Sequence, residues 1–268
     1  MDDAISYAVG MLFETLEFER RADIALVTLN RPGRLNALNA AMIRELTVAA
    51  GLIREDGSIR AALLTARGRA FCSGADLLDD VTGDIETSLR EGFNPMVSAW
   101  YNLPVPVVVA VQGIAAGAGM SLALTGDIVL AAHSAMFLQL FAPKLGLMPD
   151  LGSSFHLPRL VGSARAKGLA LLGDGLSASD AASWGLIWAC VDDETLAPES
   201  LRLAERLARG PTQAYRQIKA VFNEEPPRTL EEQLQRELQG QAALGETRDF
   251  AEGLAAFREK RPPTFRGV

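Results

Sequence analysis

The sequence predicts an α/β chain, on two observations. Short runs of β-branched and aliphatic residues, such as 24–29 and 107–111, read as buried strands. They alternate with longer segments whose apolar residues recur at helical spacing, and glycine and proline turns separate the two.

The elements follow in order. Strand 24–29 is closed by Asn30-Arg-Pro-Gly33. Asn39 caps a helix whose apolar positions are Met42, Ile43, Leu46, Ala49, Ala50 and Ile53, ended by Glu55-Asp-Gly57. Residues 60–65 form a second strand, followed by a glycine-containing loop over 66–74. Segment 84–101 is helical, 107–111 is a third strand, and 117–125 is a short helix of small residues. Short strands follow at 128–131 and 136–138, then helices at 151–160 and 163–172. From about Pro198 the pattern turns helical and richer in charge. Over 228–243, Leu230, Leu234 and Leu238 line one face of a polar helix, which packs on its own domain or forms a subunit interface. There is no internal repeat and no low-complexity segment.

A chain of 268 residues is long enough to bury a sizeable core, as one large domain or two small ones. The net charge of −7 argues against nucleic acid, whose phosphates need a basic surface, but permits one phosphorylated ligand held by local basic groups. Cys72 and Cys190 match no metal or redox spacing and read as two buried thiols in a reducing compartment. The first residues lack a basic segment leading into an apolar stretch, so no signal peptide is expected and the cytoplasm is the default. Residues 92–126 carry no charge, but Pro104, Pro106, Gln112 and three glycines break them up, so no membrane span is expected.

Two glycine-rich loops follow strands: Phe71-Cys-Ser-Gly-Ala-Asp-Leu77 and Gly113-Ile-Ala-Ala-Gly-Ala-Gly-Met-Ser121. Such loops serve tight turns and close helix packing, or they converge to aim two backbone N–H groups at one oxyanion. No complete dinucleotide fingerprint, P-loop or nucleophile elbow is present, and His133 and His156 have no metal-ligand spacing.

Four blocks, read in order, resemble the crotonase (enoyl-CoA hydratase/isomerase) family. They are Val27-Thr-Leu-Asn-Arg-Pro-Gly-Arg-Leu-Asn-Ala-Leu-Asn39, Gly68-Arg-Ala-Phe-Cys-Ser-Gly-Ala-Asp-Leu77, the stretch from Gly113 through Gly119 to Asp127, and the tail from Phe250 to Pro263. The resemblance spans the chain from about residue 12 to its end, and within the family it is nearest to the phenylacetate-pathway isomerase subgroup. It implies a spiral of ββα units over 1–205, carrying the CoA-binding and catalytic residues, and a helical region over 206–268 that builds a homotrimer or hexamer. It implies an acyl-CoA substrate and no separate cofactor, since coenzyme A is part of the substrate. The oxyanion donors it implies are the main-chain N–H groups of Ala75 and Ala118. The segment from Arg34 through Leu35 and Ala37 is similar to the one lying along CoA, with Arg34 a candidate phosphate contact. Ser73, Asp76, Leu77, Gly117 and Phe141 fall in the substrate-binding stretches, although Asp76 also reads as a cap of the following turn. Phe257 and Lys260 match tail positions that approach CoA from a neighbouring subunit.

Family hydratases use two glutamates, and this chain has Ser121 and Phe141 at those positions. Hydration needs one group to activate water and another to deliver a proton. Asp150, in Gly146-Leu-Met-Pro-Asp-Leu-Gly152, matches the single acid of enoyl-CoA isomerases. Burial among Phe141, Leu147, Met148 and Phe155 would raise its pKa toward that of a useful base. By position alone it also reads as an N-cap of the next helix. The reading is an enoyl-CoA isomerase with Asp150 as proton shuttle. The alternatives are a hydratase or lyase using water bound at Ser121 or by the substrate, a CoA-thioester hydrolase, and a CoA-binding protein without catalysis. Met96, Trp100, Met120, Phe141, Met148 and Phe155 are candidates for either an acyl pocket or the core.

Overall fold

The computed structural model describes residues 13–78, 84–224 and 229–268; the opening residues read for a targeting signal and Arg228 lie outside them. The chain winds as a spiral in which successive turns give one strand to a large sheet and a shorter stretch to a second layer. Strands β1 (Leu16–Arg21) and β2 (Ile24–Leu29) form an antiparallel hairpin. Strands β3 (Ala61–Ala66), β4 (Val107–Val111), β6 (Ile128–Ala132) and β9 (Ala189–Val191) then join in parallel, in the order β1-β2-β3-β4-β6-β9. Residues of β4 are all buried, as expected of a parallel strand covered on both faces.

The second layer carries the site. Its named strands are β5 (Ile114–Ala116), β7 (Met136–Leu138) and β8 (Leu176–Ser177). Single bridges extend it to the earlier turns, with Cys72 beside Ala115 and Leu38 beside Ala75. The bridging bonds run from Leu38 N–H to Gly74 O (2.8 Å), Cys72 N–H to Ile114 O (3.0 Å) and Ala116 N–H to Cys72 O (2.9 Å). They stack the loop after each short stretch on that of the neighbouring turn.

Helix α1 (Ala40–Glu55) begins where Asn39 Oδ1 accepts the Met42 N–H, and it buries the six apolar positions expected. The helix expected over 84–101 is capped by Asp84 and comprises α2 (Ile85–Thr87), a π-helical stretch Ser88–Phe93 and α3 (Asn94–Tyr101). Helix α4 (Ala118–Ala123) is the short helix of small residues. The two helices expected beyond Asp150 form α5 (Ser153–Leu172), broken inside at Gly162, whose φ of 78° is not helical. Helix α6 (Ala178–Ser183) leads into β9. Helix α7 (Leu196–Ala208) covers the outer sheet face, packing Leu196, Ala204 and Ala208 on Ile24, Leu63 and Val108. The junction expected at 205/206 therefore falls inside a helix packed on the sheet. Helices α8 (Thr212–Asn223), α9 (Leu230–Gly245) and α10 (Arg248–Glu259) complete the helical end.

Met96, Trp100 and Met120 are fully buried, and the Trp100 indole N–H donates to Leu46 O at 3.0 Å. Cys72 is buried, which pushes its thiol up to about 12, but Cys190 is only partly buried because β9 is an edge strand; the expectation of two buried thiols holds for one. Residues 92–126 divide among α3, β4, β5 and α4, and among the described residues no helix is long and apolar enough to cross a membrane.

Lys219 on α8 reaches the N-terminal ends of β4 and β6, donating to Asp127 (2.6 Å) and to Val105 O (2.9 Å). Burial raises the Asp127 pKa and lowers that of Lys219, so the two charges depend on each other. Replacing Lys219 by Met is expected to cost about 3 kcal/mol, because it strands a desolvated carboxylate. Chemical denaturation with an unchanged m-value would check it.

Candidate active site

The two glycine-rich loops converge. Gly119 makes the approach close: a Cβ there would lie 2.3 Å from Cys72 O and 2.7 Å from Cys72 Cβ. A Cβ on Gly74 would lie 3.8 Å from the Ala118 nitrogen, which measures how near the first loop comes to the start of α4. Gly117, with φ 51° and ψ −120°, turns the chain from β5 into α4, and its own N–H is held by Leu138 O at 2.8 Å. The N–H groups of Ala75 and Ala118 donate to no acceptor among the described residues, although Ala118 is 2% exposed. A buried N–H left unpaired by its own protein is costly unless a ligand meets it.

The Arg31–Leu38 loop is braced from within. Arg31 donates to Ala37 O (2.5 Å) and pairs with Asp76 (3.0 Å). Fully buried Asn36 donates to Arg67 O and Ala70 O, both at 2.9 Å. Leu35 and Asn36 both hold left-handed backbone (φ 50° and 53°), and Ser73 N–H ties Leu35 O at 3.0 Å. Asp76 also accepts the Leu78 N–H at 3.2 Å, capping that turn. Arg34 is exposed and its side chain has no partner among the described residues; Leu77 is likewise exposed. The loop thus presents an exposed guanidinium on a braced frame whose far end, Leu38, bridges to Ala75.

Asp150 lies beneath the second loop. Ser121 Oγ sits 3.2 Å from Gly117 O and 3.3 Å from Asp150 O, so the residue before the Ala118 donor and the carboxylate-bearing residue meet at one hydroxyl. Asp150 Oδ1 is buried with no hydrogen-bond partner among the described residues. Burial raises the Asp150 carboxyl to about 6, offset in part by its own backbone N–H. It is not a helix cap. The N-cap of α5 is Gly152, left-handed at φ 81°, and no side chain caps that helix. Consecutive left-handed residues Leu151 (φ 51°) and Gly152 stand between Asp150 and the first turn of that helix.

The wall expected around Asp150 is corrected in part. Phe141 is buried, its ring carbons 3.7 Å from where a Gly117 Cβ would stand. Phe155 is partly buried, edge-on to Tyr101 and His156. Leu147 and Met148 are exposed, Met148 by 71%, because residues 143–148 run along the surface. Ser121 is fully buried and bonded to the Ser153 hydroxyl at 2.6 Å, so it faces the interior rather than water. This polar cluster beneath the loop, with Ser153 and Gln139, has no signature in the sequence.

Phe257 (82% exposed) and Lys260 lie at the end of α10, which packs on α9. Among the described residues, no hydrogen bond or ion pair joins them to Ala75, Ala118 or Asp150. Among the described residues, no cluster of His, Cys, Asp or Glu could hold a metal ion.

Known proteins carry the same architecture. The chain is 48% identical over 250 residues to a 1,2-epoxyphenylacetyl-CoA isomerase of Escherichia coli K12, covering 91% of this chain and 95% of that protein. It is 47% identical over 259 residues to a "Probable enoyl-CoA hydratase" of Rhodobacter capsulatus, covering 96% of this chain and all of the relative. A crystal structure of an enoyl-CoA hydratase from Bacillus anthracis superposes with a TM-score of 0.89 at 31% identity, covering 95% of this chain and 100% of that one. Residues 19–268 match the family described as enoyl-CoA hydratase/isomerase. The stacked turns, the converging glycine loops and these matches agree: the chain belongs to the enoyl-CoA hydratase/isomerase, or crotonase, family.

Proposed function

We infer that the protein is an enoyl-CoA isomerase, moving a double bond along the acyl chain through a thioester enolate. The observation that carries this reading is Asp150, a carboxylate raised to about 6 with Oδ1 buried and unpaired among the described residues, on a residue whose main-chain carbonyl shares the Ser121 hydroxyl with the Gly117 carbonyl of the Ala118 peptide. In the proposed reaction the thioester oxygen accepts hydrogen bonds from Ala75 and Ala118. Asp150 takes a proton from one carbon of the acyl chain, the electrons delocalise onto the thioester oxygen, and the same carboxyl returns the proton to another carbon. Nothing is added or lost, so one acid/base group suffices. The two relatives have almost equal identity and different names, so the residues must discriminate. A buried, internally bonded Ser121 and an aromatic Phe141 supply neither of the two carboxylates a hydratase uses.

Purified protein given a 3-enoyl-CoA should raise the ultraviolet absorbance of a conjugated thioester. A 2-enoyl-CoA whose absorbance falls instead would mean hydration and overturn the reading, and release of free CoA would mean hydrolysis. The epoxide named for the Escherichia coli relative belongs in the same assay, as a phenylacetyl-type thioester.

The same reading supplies a partner for the helical end. Leu230, Leu234 and Leu238 on α9 are 68%, 50% and 60% exposed in a single chain, so further copies would cover them. Such an assembly would carry Phe257 and Lys260 to a neighbour's CoA. Light scattering should give a trimer or a multiple of one. Leu234→Glu should shift that mass toward the monomer.

A further inference from the structure

Ser121, Ser153 and Gln139 are all fully buried and lie in one hydrogen-bonded row beneath the catalytic loops. Gln139 Nε2 stands 3.0 Å from Ser153 Oγ and 3.3 Å from Met120 Sδ. The two Ser hydroxyls are 2.6 Å apart. Ser121 Oγ then reaches Gly117 O at 3.2 Å and Asp150 O at 3.3 Å.

The direction of the row follows from donor counting. A thioether offers only a weak acceptor, so the amide edge facing Met120 is the N–H edge. The other amide hydrogen goes to Ser153 Oγ. Ser153 then directs its own proton to Ser121, whose proton is left for the two carbonyls. Both are acceptors only, at nearly equal distance, so one hydroxyl proton is shared between them. The Gly117 carbonyl and the Ala118 N–H belong to the same peptide unit. Donation to that carbonyl fixes the peptide plane and, through a polarised chain of donors, makes its N–H a stronger donor. Both carbonyls also accept a main-chain donor, Gly117 O from the Ser121 N–H at 3.0 Å and Asp150 O from the Ser153 N–H at 2.9 Å, so the hydroxyl adds to a hold that is already there.

We propose that Ser121, Ser153 and Gln139 form a buried donor relay that positions and polarises the Ala118 peptide and holds the Asp150 turn in register with it. These are positioning residues, since none touches the substrate. Ser121, in this role, replaces an acid/base residue by a tether between the oxyanion site and the base. The inference rests on the reading of Ala118 N–H as an oxyanion donor.

Acetoacetyl-CoA tests it, because its β-keto thioester ionises to an ultraviolet-absorbing enolate without needing Asp150 to turn over. The pH at half-ionisation of the bound ligand reports how strongly the site favours the anion. Ser121→Ala should move that midpoint up by about one unit, a tenfold weaker preference for the enolate, with affinity for the neutral ligand within about twofold. Ser153→Ala should move it the same way by less, since Ser121 retains its proton. The double variant should be no worse than Ser121→Ala alone, as for members of one chain. Thermal melts establish folding, and if Ser121→Ala fails to fold, Ser153→Ala carries the decision. An enolate in the wild type with an unmoved midpoint in the folded variants overturns the relay alone. Binding to the wild type with no enolate overturns the oxyanion assignment itself.

Discussion

Asp150→Asn is expected to lower isomerase turnover by about 10²- to 10⁴-fold, the usual contribution of a positioned acid/base group, with little change in acyl-CoA affinity. Asparagine keeps the shape of the side chain, carries no charge and cannot take a proton. Because burial holds the Asp150 carboxyl at about 6, wild-type kcat/KM should fall as pH drops through that value and level off above it. The same shift has a stability signature. Asp150 binds its proton more tightly folded than unfolded, where the pKa is about 3.9. Its contribution is therefore fully present below about pH 4 and is lost as pH rises through about 6. The carboxyl is partly exposed, so solvent screening brings the effect to about 1 kcal/mol. Asp150→Asn should thus melt higher than wild type at pH 8 and level with it at pH 4. An equal melting difference at both values would mean that the carboxylate is not strained by burial.

Gly119→Ala is expected to cost about 10²- to 10³-fold in turnover and about 1–3 kcal/mol in stability. A Cβ at 2.3 Å from Cys72 O meets backbone and the Cys72 Cβ fixed to it, with no flexible side-chain end to displace, so α4 must retreat from the Cys72–Ala75 stretch. That retreat separates the Ala75 and Ala118 N–H groups, which are useful only as a pair. Gly51 in α1 supplies the control, because nothing lies within 4 Å of its Cβ position. Gly51→Ala should stabilise the protein by about 0.5–1 kcal/mol without altering turnover. Matching effects of the two substitutions on activity would refute the close-approach argument.

The long buried strands and α1 were legible because burial on both faces writes an uninterrupted apolar run, and Asn39 marks a helix start by a specific bond. The two- and three-residue strands β5 and β8 were not, because so few residues carry no period. The hairpin strand β1, at the sheet edge, carries a short alternation of Leu16 and Phe18 with Glu17 and Glu19, and two arginines then end it before it makes a longer run. The oxyanion donors are main-chain groups, so no side chain announces them, and only the family resemblance pointed to Ala75 and Ala118. Asp150 was ambiguous between cap and base because both uses place an acid before an apolar helix. The left-handed Leu151–Gly152 turn decides against the cap, and a leucine gives no warning of positive φ. The surface course of Leu147 and Met148 was equally hidden, since apolar residues beside a site read as its wall. The Ser121 relay was out of reach, for it joins residues from α4, the segment after β7 and α5 that share no spacing.

The near-sequential strand order also bears on how such a protein is assembled and altered. Each strand of the large sheet from β2 to β4 docks on the one made just before it, so the chain can build its spiral in the direction of synthesis. The Ala75 and Ala118 N–H groups become neighbours as soon as their two adjacent turns stack, with no help from a distant part of the chain. Lengthening the connection at Gly57, between α1 and β3, taxes a single loop closure, by about 0.6 kcal/mol for each doubling. A scaffold of this kind can take on new connections at its rim while the pair of donors at its heart stays where the winding put it.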